Sequence, residues 1–210
     1  MPRATWTGTP RSTRPSSGPP ARGRSPKRGL DPEQSHRQQA LEKSRGGLST
    51  KNHTAAEGRG RVLAERLTPG QDAEVAAPVP LIDDIAVPRP GGTGRPRNRP
   101  DSVKADMAYA SKANRKALRD RKIKATIPEK GKVAQARRKR GSRGGRPPKF
   151  NAEAYKERNQ AERGFGPRKQ WCAVATRYDK LGSRYAATCT IAAIMDWTRA
   201  RPDQKSPDTT

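Results

Sequence analysis

Residues 48–68 read LSTKNHTAAEGRGRVLAERLT, two short stretches on either side of Gly58-Arg59-Gly60. The second, RVLAERL, is predicted to be a strand and the glycine-rich turn to close a hairpin, although alanine and glutamate are poor strand formers. In the next segment, TPGQDAEVAAPVPLIDDIAV, Pro-Gly punctuation gives way to a helix-like patch around Leu81, Ile82 and Ile85. Asp83 and Asp84 adjoin there, but neighbouring helical residues point about 100° apart, so a solvated surface is the better reading than a shared metal site.

A basic, turn-rich linker is predicted at 88–100. Beyond it, DSVKADMAYASKANRKALRDRKIKATIP predicts a strand over 102–106, a helix over 111–121 with Asn114, Arg115 and Leu118 near its buried edge, and a strand over 123–127. Strand, helix, strand requires a crossover, hence a parallel or mixed sheet. Residues 129–148 read as a second basic linker. A helix is predicted to begin near Asn151, and the mostly apolar run SRYAATCTIAAIMDWTRA predicts a last helix over 183–200.

The first 30 residues lack any acid and have almost no apolar side chains, so they are expected to be disordered. A short helix is predicted near PEQSHRQQALEKSR. Composition agrees with a small core: 30% of the chain is hydrophobic and 4% aromatic. The net charge of +26 asks for a polyanion, and nucleic acid is the commonest one in cells. Cys172 and Cys189 fit neither a disulfide framework nor zinc-ligand spacing, with His36 and His53 far away in sequence, and are expected to be reduced core residues. No apolar run approaches the ~20 residues that span a bilayer. The prolines of the N-terminal stretch argue against an amphipathic transit peptide.

Chemistry is suggested first by Asp106, where a predicted strand ends, with Tyr109 three residues on. Strand-end carboxylates face the crevice where ligands collect, but a lone Asp there more often caps the next helix. A second cluster lies in AYKERNQAERGFGPRKQW, where Tyr155, Arg158, Glu162 and Lys169 are spaced to share one helical face. Glu162 beside Asp106 would make an oxygen-rich site for Mg²⁺ or Mn²⁺, with Arg158 and Lys169 on the same helix face to contact DNA phosphate. The competing reading is an i,i+4 Arg158–Glu162 ion pair on a solvated helix. The residues by themselves favour the ion pair.

The spacing Tyr155, Arg158, Glu162, Lys169 resembles the C-terminal signature of a group of bacterial insertion-sequence transposases, the DDE type. ADMAYASKANRKALRDRKIKATIP resembles the same family's second-Asp region. SRGGLSTKNH and RVLAERLTPGQ are similar to its earlier hairpin, and RGSRGGRPPKFNAEAYKERN and ATRYDKLGSRYAA to its C-terminal region. The resemblance covers residues 44–198. It implies an incomplete ribonuclease-H-like α/β fold, a mixed sheet with flanking helices, and two metal ions, Mg²⁺ or Mn²⁺, held by Asp, Asp and Glu. It further implies Asp106 and Glu162 as catalytic metal ligands, Tyr155, Arg158, Lys169 and Tyr109 as DNA contacts, and hydrolysis and strand transfer at terminal inverted repeats. Target DNA is the other implied partner, with a homo-oligomer on DNA and no membrane; the implied location is the bacterial cytoplasm, on the nucleoid.

Two departures alter the expectation. Gly164, Gly166 and Pro167 follow Glu162, and an interior proline costs about 3 kcal/mol in a helix, so the helix is expected to break before Lys169. No first Asp on a predicted strand precedes SRGG: residues 1–30 are acid-free and of low complexity, and the earliest carboxylate, Asp31, has no strand around it. The chain is thus expected to be an N-terminally degenerate or truncated copy, inactive alone, with tails at 1–43 and 199–210 around a partial catalytic domain. An out-of-frame stretch of a GC-rich gene would give such an N-terminus. The alternative is a disordered accessory protein without catalysis, since TGRPRNRP and RGGRPPK contain the Gly-Arg-Pro core of AT-hook peptides. Such a protein would be coil.

Overall fold

The computed structural model describes residues 11–13, 39–44, 47–89 and 91–199 of the protein. Its centre is the hairpin of β3 (Gly47–Ala56) and β4 (Val62–Pro69), antiparallel from Thr50↔Pro69 to Ala56↔Val62 with an irregularity at Ala55/Ala56. Gly60, at φ 84°, takes the left-handed turn geometry that a side chain resists. β1 (Arg11–Thr13) and β2 (Glu42–Ser44) also pair antiparallel with β3, completing a four-stranded sheet.

These two strands correct the expectation of a structureless tail over 1–43 and of a helix reaching residue 45. Main-chain hydrogen bonds to an open strand edge require no apolar side chains, so composition does not reveal them. The rest of that helix, Asp31, His36 and the tail beyond residue 199 lie outside the described residues.

β5 (Ser102–Lys104) and β6 (Lys124–Thr126) pair in parallel across α2 (Lys112–Asp120), the crossover read from the sequence. Ser111 caps α2 by accepting from the Asn114 amide at 3.0 Å. Asn114 and Leu118 are buried, and Arg115 donates to the Ile127 carbonyl at 2.7 Å. The strands form a separate two-stranded sheet, not part of one mixed sheet. The fold is α/β in that it combines helices with two small sheets. A common core joins them: Ala55 of β3, Leu81 and Ile82 of α1 (Pro78–Asp83), Val103, Tyr109, Leu118 and Ile127.

Asp83 and Asp84 are exposed, pairing with Arg121 at 3.1 Å and Arg66 at 2.9 Å, as a solvated face should. The first linker is pinned by a Val87↔Arg97 bridge. The second contains α3 (Gly131–Lys139) and a tight 3-10 turn at Gly141–Gly144, a correction explained by Ala, Gln, Lys and Arg, all strong helix formers.

After α4 (Ala152–Lys156), capped by Asn151, the chain bends at Glu157 and continues as α5 (Arg158–Arg168). Pro167 does not break α5. It sits in the last turn, where its missing N–H forfeits one bond, and the Lys169 amide closes the end on Phe165 and Gly166. α6 (Cys172–Ala175) leads to α7 (Gly182–Arg199), which buries Tyr185, Cys189 and Ala192 near Val174 and Leu67. Cys189 is in the core as expected. Cys172 is exposed, on a single turn too short to turn it inward.

Candidate functional site

Asp106 follows β5 in extended conformation (φ −65°, ψ 158°) and starts the 3-10 turn Met107–Tyr109. Its Oδ1 accepts from the Met107 amide at 2.6 Å, so it is a cap, and the second carboxylate oxygen has no such task. Tyr109, at the end of that turn, is fully buried. Burial pushes its hydroxyl's pKa up, and the negative charges of Glu74 and Asp106 push the same way.

α5 is brought to this strand end by an ion pair that periodicity does not reveal, Lys104 of β5 with Glu157. The Lys104 side chain is only 6% exposed, and a buried ammonium is kept only with a partner. Further along, Ala161 and Phe165 pack on Ala56 of the hairpin. Gly164 permits the closest approach: a Cβ there would lie 2.3 Å from the Gly60 carbonyl oxygen. At the C-terminal end Arg168 forks onto Glu65 at 2.6 and 3.1 Å and donates to the Cys189 carbonyl at 2.8 Å.

So held, α5 presents Glu162 and Arg158 as an ion pair at 2.9 Å, with the guanidinium 5.7 Å from the Tyr155 ring centre. The pair read as the bland alternative is therefore present. Tyr155 is partly buried, and burial raises its pKa. Arg158 opposes that shift, whereas the charges of Asp106 and Glu162 add to it. Lys169 is exposed at the C-cap of α5, two turns beyond Glu162 and outside this group. Among the described residues no three His, Cys, Asp or Glu side chains converge as metal ligands.

Sequence reasoning missed Lys104, Glu157, Glu65 and Arg168, which position α5. Their spacing follows no local period; the one available hint was a lysine inside an otherwise buried strand.

No helix among the described residues is long and apolar enough to cross a membrane. The mixture of helices and strands also disfavours the coil expected of an AT-hook polypeptide. No solved structure matches the chain. It is similar to a Burkholderia cepacia protein named as transposase for insertion sequence element IS402, with 40% identity over 81 residues, 39% of this chain and 38% of that protein. The chain thus spans well under half the length of that curated relative. The family model described as Transposase DDE domain matches residues 9–197, a span that contains both Asp106 and Glu162, and the chain belongs to that family, the DDE transposases of insertion sequences.

Proposed function

We propose that this chain is a transposition protein with a ribonuclease-H-like α/β core, in which Asp106 and Glu162 are the second and third carboxylates of the reacting centre. The observation that carries the reading is the Lys104–Glu157 ion pair, which ties the start of α5, and with it the Glu162 helix, to the strand end that Asp106 follows. Its partners are the terminal inverted repeats and target DNA, with Arg158, Lys169, Tyr155 and Tyr109 on the DNA side. A homo-oligomer assembled on DNA and a place on the nucleoid belong to the same reading.

The donor set fits one hard divalent cation better than two. Asp106 spends one oxygen on Met107, and Glu162 spends one on Arg158. Each keeps one for Mg²⁺ or Mn²⁺, which take oxygen ligands and fill the remainder with water. A bound cation of this kind supplies Lewis-acid polarisation of a phosphodiester oxygen. Arg158 holds Glu162 through their 2.9 Å ion pair, with Tyr155 beside the guanidinium. A second ion needs a bridging carboxylate, and no described Asp or Glu supplies one. Among the described residues the pair thus lacks a third carboxylate, and on this reading the chain by itself is catalytically defective.

The test is cleavage of inverted-repeat duplex by purified protein. No Mg²⁺- or Mn²⁺-dependent product is expected, and Glu162→Gln should change nothing. Cleavage that needs metal and is lost in Glu162→Gln would overturn the defect. Mn²⁺ titration followed by water relaxation should find one weak site, lost in Asp106→Asn; an unchanged titration in that variant would remove Asp106 from the site.

A further inference from the structure

Residues 129–149 contain nine Lys or Arg and one acid, Glu129. Glu129 is already taken by Arg137, which donates to it at 2.9 and 3.3 Å. Among the described residues no acidic side chain pairs with Lys132, Arg138, Lys139, Arg140, Arg143 or Arg146.

The geometry gathers these charges. α3 ends in Arg137, Arg138 and Lys139, and the Gly141–Gly144 turn folds straight back on it. The return is so close that a Cβ on Gly144 would lie 2.1 Å from the Arg137 carbonyl oxygen. Arg143 is thereby set beside the cationic end of α3. Cations suit a helix C-terminus, yet crowded like charges repel.

α3 also buries none of its residues. With nine residues it is shorter than the ~12–15 at which an isolated helix becomes marginally stable in water. It has no core to pack on and, among the described residues, no counter-charge beyond the Glu129–Arg137 pair, so an anionic partner would stabilise it most.

We propose that α3 and the Gly141–Gly144 turn are the principal phosphate-gripping surface of this protein for duplex DNA, and that α3 is consolidated by that contact. The inference rests on the reading that DNA is the partner and names the surface that holds it. No aromatic residue occurs in 129–149, so there is no platform for stacking unpaired bases. Val133 is the only large apolar residue α3 exposes, too little for an interfacial membrane helix. A regular double row of phosphates is the partner that remains.

The experiment measures binding of the full chain to a random-sequence duplex by fluorescence anisotropy as salt is raised. One variant combines Arg138→Gln, Lys139→Gln, Arg140→Gln and Arg143→Gln. A control of equal charge combines Lys112→Gln, Lys116→Gln, Arg119→Gln and Lys124→Gln. Each lost phosphate contact lowers the slope of log K against log salt by about 0.9, so the first variant should lose about 3 to 4 and the control less than about 1. Amide exchange at 131–139 should slow on adding duplex to the wild type, but not to the first variant. Equal slopes for the two variants, with DNA binding intact, would overturn this surface and spare the proposed function. Absence of DNA binding by the wild type would overturn both. Tighter binding to a single strand of the same length would overturn the duplex assignment.

Discussion

Nδ1 of His53 lies 2.9 Å from the hydroxyl of Tyr109, tying the central strand of the hairpin sheet to the turn that Asp106 caps. Nε2 of the same ring is 2.9 Å from Thr68 Oγ1. A neutral imidazole serves both contacts, one nitrogen donating and the other accepting.

This arrangement predicts a specific pH dependence. Burial, with the nearby charge of Lys51, lowers the His53 pKa from 6.5 to about 4. Between those values the unfolded chain binds a proton that the folded chain refuses. The contribution is therefore complete above about pH 6.5 and is lost as pH falls toward 4, a change on the order of 3 kcal/mol. Urea midpoints should fall across that window in the wild type, and His53→Gln should remove most of the fall.

Two glycines about 3 Å apart along one helix, at ~1.5 Å rise per residue, should respond oppositely to alanine. Gly164→Ala sets a methyl against the Gly60 carbonyl and should cost about 1–3 kcal/mol by overpacking. Nothing lies within 4 Å of a Cβ on Gly166, so Gly166→Ala should stabilise by roughly 0.5–1 kcal/mol. Thermal melts of the two variants check the sign of each.

Arg168 and Glu65 are a nearly buried pair, with side chains 4% and 11% exposed. Glu65→Ala leaves the guanidinium without its main counter-charge and should cost about 3–5 kcal/mol, whereas Glu65→Leu with Arg168→Met should cost much less. Denaturant titration of the single and double variants decides it. Equal losses would show that the site depends on packing rather than charge.

Asp106 has a structural role that any catalytic test must separate. Losing its bond to the Met107 amide in Asp106→Ala should cost about 1 kcal/mol, whereas Asp106→Asn keeps a capping oxygen and should cost less. Comparing the melting temperatures of the two separates the cap from any loss of Mn²⁺ binding.

The sequence by itself determined what neighbouring residues control. The Gly58–Gly60 turn, the apolar spacing at Leu81, Ile82 and Ile85, and the strand–helix–strand order at 102–127 all act within a few residues. Each was legible as a hairpin, a helix or a crossover. The four-residue signature ending in Lys169 was equally local, and with it the family. Only the tertiary structure decided the partners that lie far apart in the chain. Lys104 with Glu157, Glu65 with Arg168, and His53 with Tyr109 leave no periodic trace, because what selects them is the need of a buried polar group for a partner. The same holds for Pro167, tolerated because α5 ends one residue later at Arg168, and for Arg11–Thr13, whose strand depends on the free edge of β3.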